Sequence, residues 1–133
     1  MNTITIRTTS KTQWIDITAQ VREQIVSSRV KNGLAVVYVP HTTAGITINE
    51  HADPAVVQDI NSKLSQLVPD DGSYSHMEGN SAGHIKASLM GSSQSVIIKD
   101  GKLQLGTWQG IFFCEFDGPR NRQVYMKVIS GDS

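Results

Sequence analysis

Residues 34 to 40 read Leu-Ala-Val-Val-Tyr-Val-Pro, an unbroken apolar run too short for a buried helix, rich in β-branched side chains and closed by a proline. Such a run reads as a central strand, so the rest of the chain has to supply strands beside it. Thr3 to Arg7 and Gln13 to Ile17 alternate apolar and polar residues across a polar turn, and Gly45 to Asn49 alternates again. Period-two patterns of this kind fit strands with one covered face. In the last third, residues 95–99 and 102–106 flank Asp100 and Gly101, a dipeptide that favours tight hairpins. Trp108 to Phe116 and Val124 to Ile129 complete the strands, separated by the turn residues Asp117, Gly118 and Pro119.

Three helices interrupt this β pattern. Thr18 can cap a helix carrying Val21, Ile25 and Val30, with Gly33 placed to end it. Asp53 followed by Pro54 is a cap residue followed by a residue suited to the first helical position. Val56, Val57, Ile60, Leu64, Leu67 and Val68 then form one apolar stripe that Pro69 breaks. A third, shorter helix starts at Asn80 or Ser81, carries His84, Ile85, Lys86, Ser88 and Leu89, and stops at Gly91. No repeat, linker or low-complexity segment divides the 133 residues, so they read as one α+β domain spanning 1–133.

Composition narrows the function. Hydrophobic residues make up 38% and charged residues 18%, the proportions of an ordinary folded globule. Twelve basic and twelve acidic side chains cancel, which argues against nucleic acid or anionic lipid as a partner. The start of the chain lacks the basic and apolar blocks of a signal peptide, and no stretch approaches the ~20 apolar residues that span a bilayer. Cys114 is the sole cysteine and sits in an apolar run, so a core location in a reducing compartment is expected, with the cytoplasm as the default.

The chemistry concentrates between Pro40 and His84, which hold all four histidines together with Glu50, Asp53 and Glu78. Imidazole is both the commonest metal ligand and a proton carrier near neutral pH. His41, His76 and His84 are enough to hold zinc with an open fourth position if folding brings them together, although no pair has the i, i+4 spacing of a helical metal motif. The bland alternative is that they hydrogen-bond loops or bind an anion. Glu50 can orient an imidazole or act as a general base, or simply cap neighbouring amides. Glu78 alone reads as a solvated carboxylate, and Asp53 as the cap of its helix.

Other groups suit an anionic ligand. Thr42, with Thr43, Ala44 and Gly45, forms a small-residue turn whose hydroxyls and amides can meet an oxyanion. Residues 78–81 lead into a helix N-terminus, where Lys86 can add a point charge, although a solvated lysine is the more frequent case. Thr107 and Gln109, next to Trp108, can orient a planar ligand, while Trp108 itself is expected in the core or a subunit interface. Arg120 and Arg122 can grip phosphate in the fork geometry of guanidinium, or form surface salt bridges.

Three segments carry a family resemblance: 41–54, HTTAGITINEHADP; 76–91, HMEGNSAGHIKASLMG; and 106–120, GTWQGIFFCEFDGPR. In order and spacing they resemble the signature blocks of the YjbQ family of small bacterial and archaeal proteins. His51 stands where those relatives commonly show Asn or Tyr, and Ala82 and Gly83 where many have acidic or larger residues. The resemblance implies a sandwich of mixed, largely antiparallel sheets, a homotrimer, and a thiamine-phosphate synthase activity that is secondary to another role. It also strengthens the metal reading of His41, His76 and His84 and raises Glu78 and His76 to candidate catalytic residues beside Glu50. The synthase reaction calls for phosphate-binding cations and magnesium, which prefers oxygen ligands, whereas imidazoles suit zinc. Two expectations follow. One is an enzyme with a histidine-rich, metal-binding pocket that acts on a small phosphorylated molecule, for which Thr42, Lys86, Thr107, Gln109 and Arg120 supply binding groups. The other is a noncatalytic protein that binds such a metabolite or a metal ion.

Overall fold

The structure, a computed structural model, describes residues 1–131. Eight strands and three helices follow one another as β1 (Asn2–Arg7), β2 (Gln13–Asp16), α1 (Thr18–Ser28), β3 (Gly33–Tyr38), β4 (Ala44–Glu50), α2 (Pro54–Leu67), α3 (Ser81–Met90), β5 (Ser93–Lys99), β6 (Lys102–Leu103), β7 (Gln109–Glu115) and β8 (Asn121–Ser130). The apolar run at 34–40 supplies β3, which occupies the middle of a five-stranded sheet ordered β1-β8-β3-β5-β6. A second sheet, β2-β7-β4, lies against it. All pairs in both sheets are antiparallel, so the expected mixed character is absent among the described residues.

Alternation decides which side chains fill the space between the sheets. Ile4 and Ile6 of β1, Ala35 and Val37 of β3, Val96 and Ile98 of β5, and Val124 and Met126 of β8 face inward and are buried. They meet Ile46, Ile111 and Phe113 of the smaller sheet, and α1 adds Val21 and Ile25 to the same core. The back of the smaller sheet packs Phe112, Cys114 and Phe116 against Leu64 of α2 and Ala87 of α3, with Trp14 and Val57 alongside. Cys114 is fully buried there, and burial pushes its thiol up, so it is a core residue as expected.

Three details differ from the local sequence signals. Helix α1 ends at Ser28 because Arg29 adopts a left-handed conformation (φ 60°) and returns its N–H to the Val26 carbonyl. Gly33 therefore opens β3 instead of stopping the helix, and Val30 lies outside it. The outer face of β3 is also open: Leu34, Tyr38, Ile97 and Ile129 are exposed on one side of the five-stranded sheet, and Tyr38 stacks on Tyr125. Nor does Thr18 cap α1: Ile17 is the N-cap, and the Thr18 hydroxyl donates to Asp16 Oδ1 (2.6 Å) instead. Two other cues hold. Asp53 Oδ1 accepts the Ala55 N–H with Pro54 in the first turn of α2, and Asp100 and Gly101 both take positive φ to make the hairpin turn. None of the helices is long and apolar enough to cross a membrane among the described residues.

Candidate functional site

Leaving β3, the chain crosses from the larger sheet to the smaller through Val39 to Thr43, and this crossing carries His41. It lies beside the Phe116 to Arg120 turn between β7 and β8, where Phe116 N donates to the Thr43 carbonyl (3.1 Å). The start of α3 joins them, because Asn80 Nδ2 donates to Asp117 Oδ2 (2.9 Å). Three segments remote in sequence thus enclose a cleft of about 440 Å³. His41, His76 and His84 all line it, as do Thr42, Glu78 and Arg120. A neighbouring cleft of about 500 Å³ shares His41, Thr42 and His84.

Beneath this cleft lies a buried ion pair that the sequence did not announce. Glu115 is 0% exposed and Arg122 5%. Arg122 Nε donates to Glu115 Oε1 (2.9 Å), and Arg122 Nη2 donates to Glu115 Oε2 and to Thr43 Oγ1 (2.9 Å). Glu115 also accepts from Thr8 Oγ1 (2.7 Å) and from the Asp117 amide (3.1 Å). Burial by itself would raise the Glu115 carboxyl, but these donors and the Arg122 charge hold it below the ordinary carboxylate range. The pair fastens β1, β7, β8 and the His41 crossing to one another. One signal was available in the sequence: Glu115 is the lone charge in the run Ile111 to Phe116.

Each imidazole has a distinct environment. His41 Nε2 accepts the backbone N–H of Gln123 (2.9 Å), so the hydrogen of the neutral ring sits on Nδ1. Burial, reinforced by the Arg122 charge, pushes His41 below its usual value, which keeps the ring neutral near pH 7. His76 and His84 meet edge to face with centroids 5.3 Å apart, and His76 Nε2 lies 3.8 Å from Glu78 Oε2. Arg120 is half-exposed. Its Nε donates to the Asp117 carbonyl (2.8 Å) and its Nη2 to Asp117 Oδ2 (3.0 Å), which leaves further N–H donors toward the cleft. Asp117 stays below the ordinary range because the hydrogen bonds from Asn80 and Arg120 outweigh its burial.

A three-imidazole metal site does not fit this arrangement within one chain. With Nε2 of His41 taken by an amide and its other nitrogen protonated, that ring has no lone pair to give. Among the described residues no three His, Cys, Asp or Glu side chains gather in a group that could hold a metal ion. What the cleft offers is N–H donors on His41 and Arg120, two further imidazoles, the Thr42 hydroxyl and the start of α3.

Several expected site residues lie elsewhere. Lys86 is 4% exposed on the packed face of α3, so the solvated reading fails; it does not line the cleft, and no carboxylate pairs with it among the described residues. Glu50 ends β4 about 20 Å from Ala44 at its start, at ~3.3 Å per strand residue, and lines a different cleft with His51. Thr107 and Gln109 are at that same distant end, where Gln109 pairs with Glu50 across the sheet and its Oε1 accepts the Gly106 amide (2.8 Å). Trp108 is 62% exposed, so it is no part of the core.

The comparisons agree with this architecture. The family model described as UPF0047 protein YjbQ-like matches residues 2–131. A UPF0047 protein of Methanocaldococcus jannaschii is 59% identical over 93% of this chain and 90% of its own length. YugU of Bacillus subtilis, also a UPF0047 protein, is 48% identical over 97% and 98%. Among solved structures, a YjbQ/UPF0047 family protein of Clostridium acetobutylicum superposes with a TM-score of 0.96 at 56% identity, covering 97% of this chain and all of that one. A protein of unknown function from Sulfolobus solfataricus gives a TM-score of 0.94 at 32% identity, over 98% and 96%. Matched over nearly its whole length in sequence and in structure, the chain belongs to the YjbQ-like UPF0047 family.

Proposed function

We propose that the cleft between the His41 crossing, the Asp117 to Arg120 turn and the start of α3 binds a small phosphorylated molecule. The observation that carries this reading is the convergence of His41, His76, His84 and Arg120 on one cleft floored by a fixed Arg122–Glu115 pair. Arg120 keeps spare guanidinium donors, and the Nδ1 hydrogen of His41 suits an anionic oxygen. His76 and His84 are positioned to exchange protons with such a ligand, and Glu78 to orient His76. Thiamine-phosphate synthase activity, which the family resemblance implies, is a side reaction in this reading; the resident ligand is another small anion.

Assembly as a homotrimer belongs to the same proposal. Leu34, Tyr38, Ile97 and Ile129 give the five-stranded sheet an apolar outer face, which supports burial against another subunit.

The test combines binding and turnover. Pyrophosphate and thiamine phosphate are titrated calorimetrically into dialysed protein of known metal content, and synthase turnover is assayed in parallel. Arg120→Ala and His84→Ala should weaken binding about tenfold or more, with synthase turnover slow in the native protein and lower in both variants. Equal affinity in both variants would remove the cleft from the account. Stoichiometric zinc lost specifically in His41→Ala, His76→Ala and His84→Ala would restore the metal reading instead.

A further inference from the structure

At the other end of β4 the chain builds a second cleft, of about 340 Å³, which shares no lining residue with the histidine cleft described above. Trp14, Phe112, Val57 and Pro54 form its walls, and Glu50 and His51 its polar edge. The volume is at the lower end of those that hold small molecules.

Its organising element is a carboxylate–imidazole pair. Asp16 Oδ1 accepts both the backbone N–H (2.9 Å) and the hydroxyl (2.6 Å) of Thr18, and Oδ2 meets His51 Nδ1 at 2.8 Å. Burial would raise Asp16, but these hydrogen bonds outweigh it and keep the group ionised. An ionised carboxylate only accepts, so Nδ1 carries a hydrogen and the neutral ring is left with its lone pair on Nε2. That nitrogen has no partner among the described residues. Gly110 makes room for the ring: a Cβ there would stand 2.3 Å from His51 Nδ1. The His51 amide also donates to the Trp108 carbonyl (2.9 Å), so both backbone and ring are fixed.

The surroundings select the ligand. Asp53 is committed to capping α2, whereas Glu50 makes no side-chain hydrogen bond or ion pair among the described residues. Trp14 and Phe112, with centroids 5.6 Å apart and planes at 51°, form an aromatic wall suited to an apolar or aromatic tail. The cleft thus joins one free imidazole acceptor, one free carboxylate and an aromatic surface, with no Lys or Arg among its lining residues.

We propose that this cleft is a second ligand site, for a small organic ammonium with an apolar or aromatic tail. The ammonium donates to His51 Nε2 and places its charge beside Glu50, while the tail lies on Trp14 and Phe112. The proposal does not depend on the anion reading of the first cleft.

The experiment titrates 2-phenylethylammonium into the full-length protein at about pH 8, following ring resonances of the four histidines and the Trp14 indole by NMR. Phenylacetate and 2-phenylethanol serve as the anionic and neutral counterparts. The expected result is saturable movement of the His51 and Trp14 signals, with roughly tenfold weaker binding of both counterparts. His51→Asn and Glu50→Gln should each weaken the ammonium at least about fivefold. Glu50→Gln neutralises a side chain that has no hydrogen bond or ion pair among the described residues, so it reports binding even if His51→Asn perturbs folding. Absence of movement at about 20 mM ligand, equal binding of phenylacetate or 2-phenylethanol, or unchanged affinity in Glu50→Gln would each overturn the proposal. Pyrophosphate added to the same sample should leave the His51 and Trp14 signals in place, which separates failure here from failure of the anion site.

Discussion

Strands β4 and β7 run side by side, and their two ends hold histidines in opposite ways. At one end, His41 gives its Nε2 lone pair to a backbone amide and lies over a sealed ion pair. At the other, His51 donates through Nδ1 to a half-exposed carboxylate and leaves Nε2 free. The first ring is a donor toward its cleft and the second an acceptor. One sheet therefore presents two chemically complementary sites, and the tautomer is decided in each case by a neighbour far away in sequence.

The largest effect should come from breaking the buried pair. Glu115→Gln leaves Arg122 without its carboxylate in a dry environment and should cost about 3–5 kcal/mol in denaturant unfolding, whereas Asp16→Asn, at the more open end, should cost about 1 kcal/mol. Comparable losses at both ends would contradict the asymmetry between them.

Acid titration sharpens the same contrast. Glu115, Asp117 and Asp16 are all held below their ordinary values of 4.5, 3.8 and 3.8. Each contributes stability that is complete above its unfolded value and is lost as the pH falls through the lower folded one. His41, also lowered, adds a loss beginning below its ordinary 6.5, because the unfolded chain takes up a proton that the folded ring resists. Thermal melts between about pH 7 and 3 should therefore decline steeply, and Glu115→Gln should flatten that decline more than Asp16→Asn.

A smaller effect is expected at Arg120. It is half-exposed and bonded to the turn at Asp117, so Arg120→Ala should cost no more than about 1 kcal/mol of stability. Its loss of pyrophosphate affinity should be larger, and a variant that loses stability without losing affinity would make Arg120 a structural residue only.

The sequence exposed the parts of the molecule that are local. Alternation marked the strands, and the Asp53-Pro54 pair marked the start of α2, because the responsible contacts lie within a few residues. The end of α1 escaped because Arg29, not a glycine, takes the left-handed conformation. The histidine cleft was legible as a cluster, since His41, His76, His84, Glu78, Thr42 and Arg120 do line one space. Its floor was not, because Glu115 and Arg122 read as a strand residue and a surface charge until β7 pairs with β2 and β4, β8 pairs with β1, and the two side chains meet between the sheets. Glu50, Thr107 and Gln109 were drawn toward the same site by proximity in sequence to His41 or to the GTWQ block. The length of β4 carries them to the opposite end.

Ring NMR of the four histidines during a pyrophosphate titration tests the central claim most directly. The account predicts saturable shifts at His41, His76 and His84, with the His41 hydrogen remaining on Nδ1, and no response at His51. Shifts at His51 alone, or none at the other three rings, would contradict it.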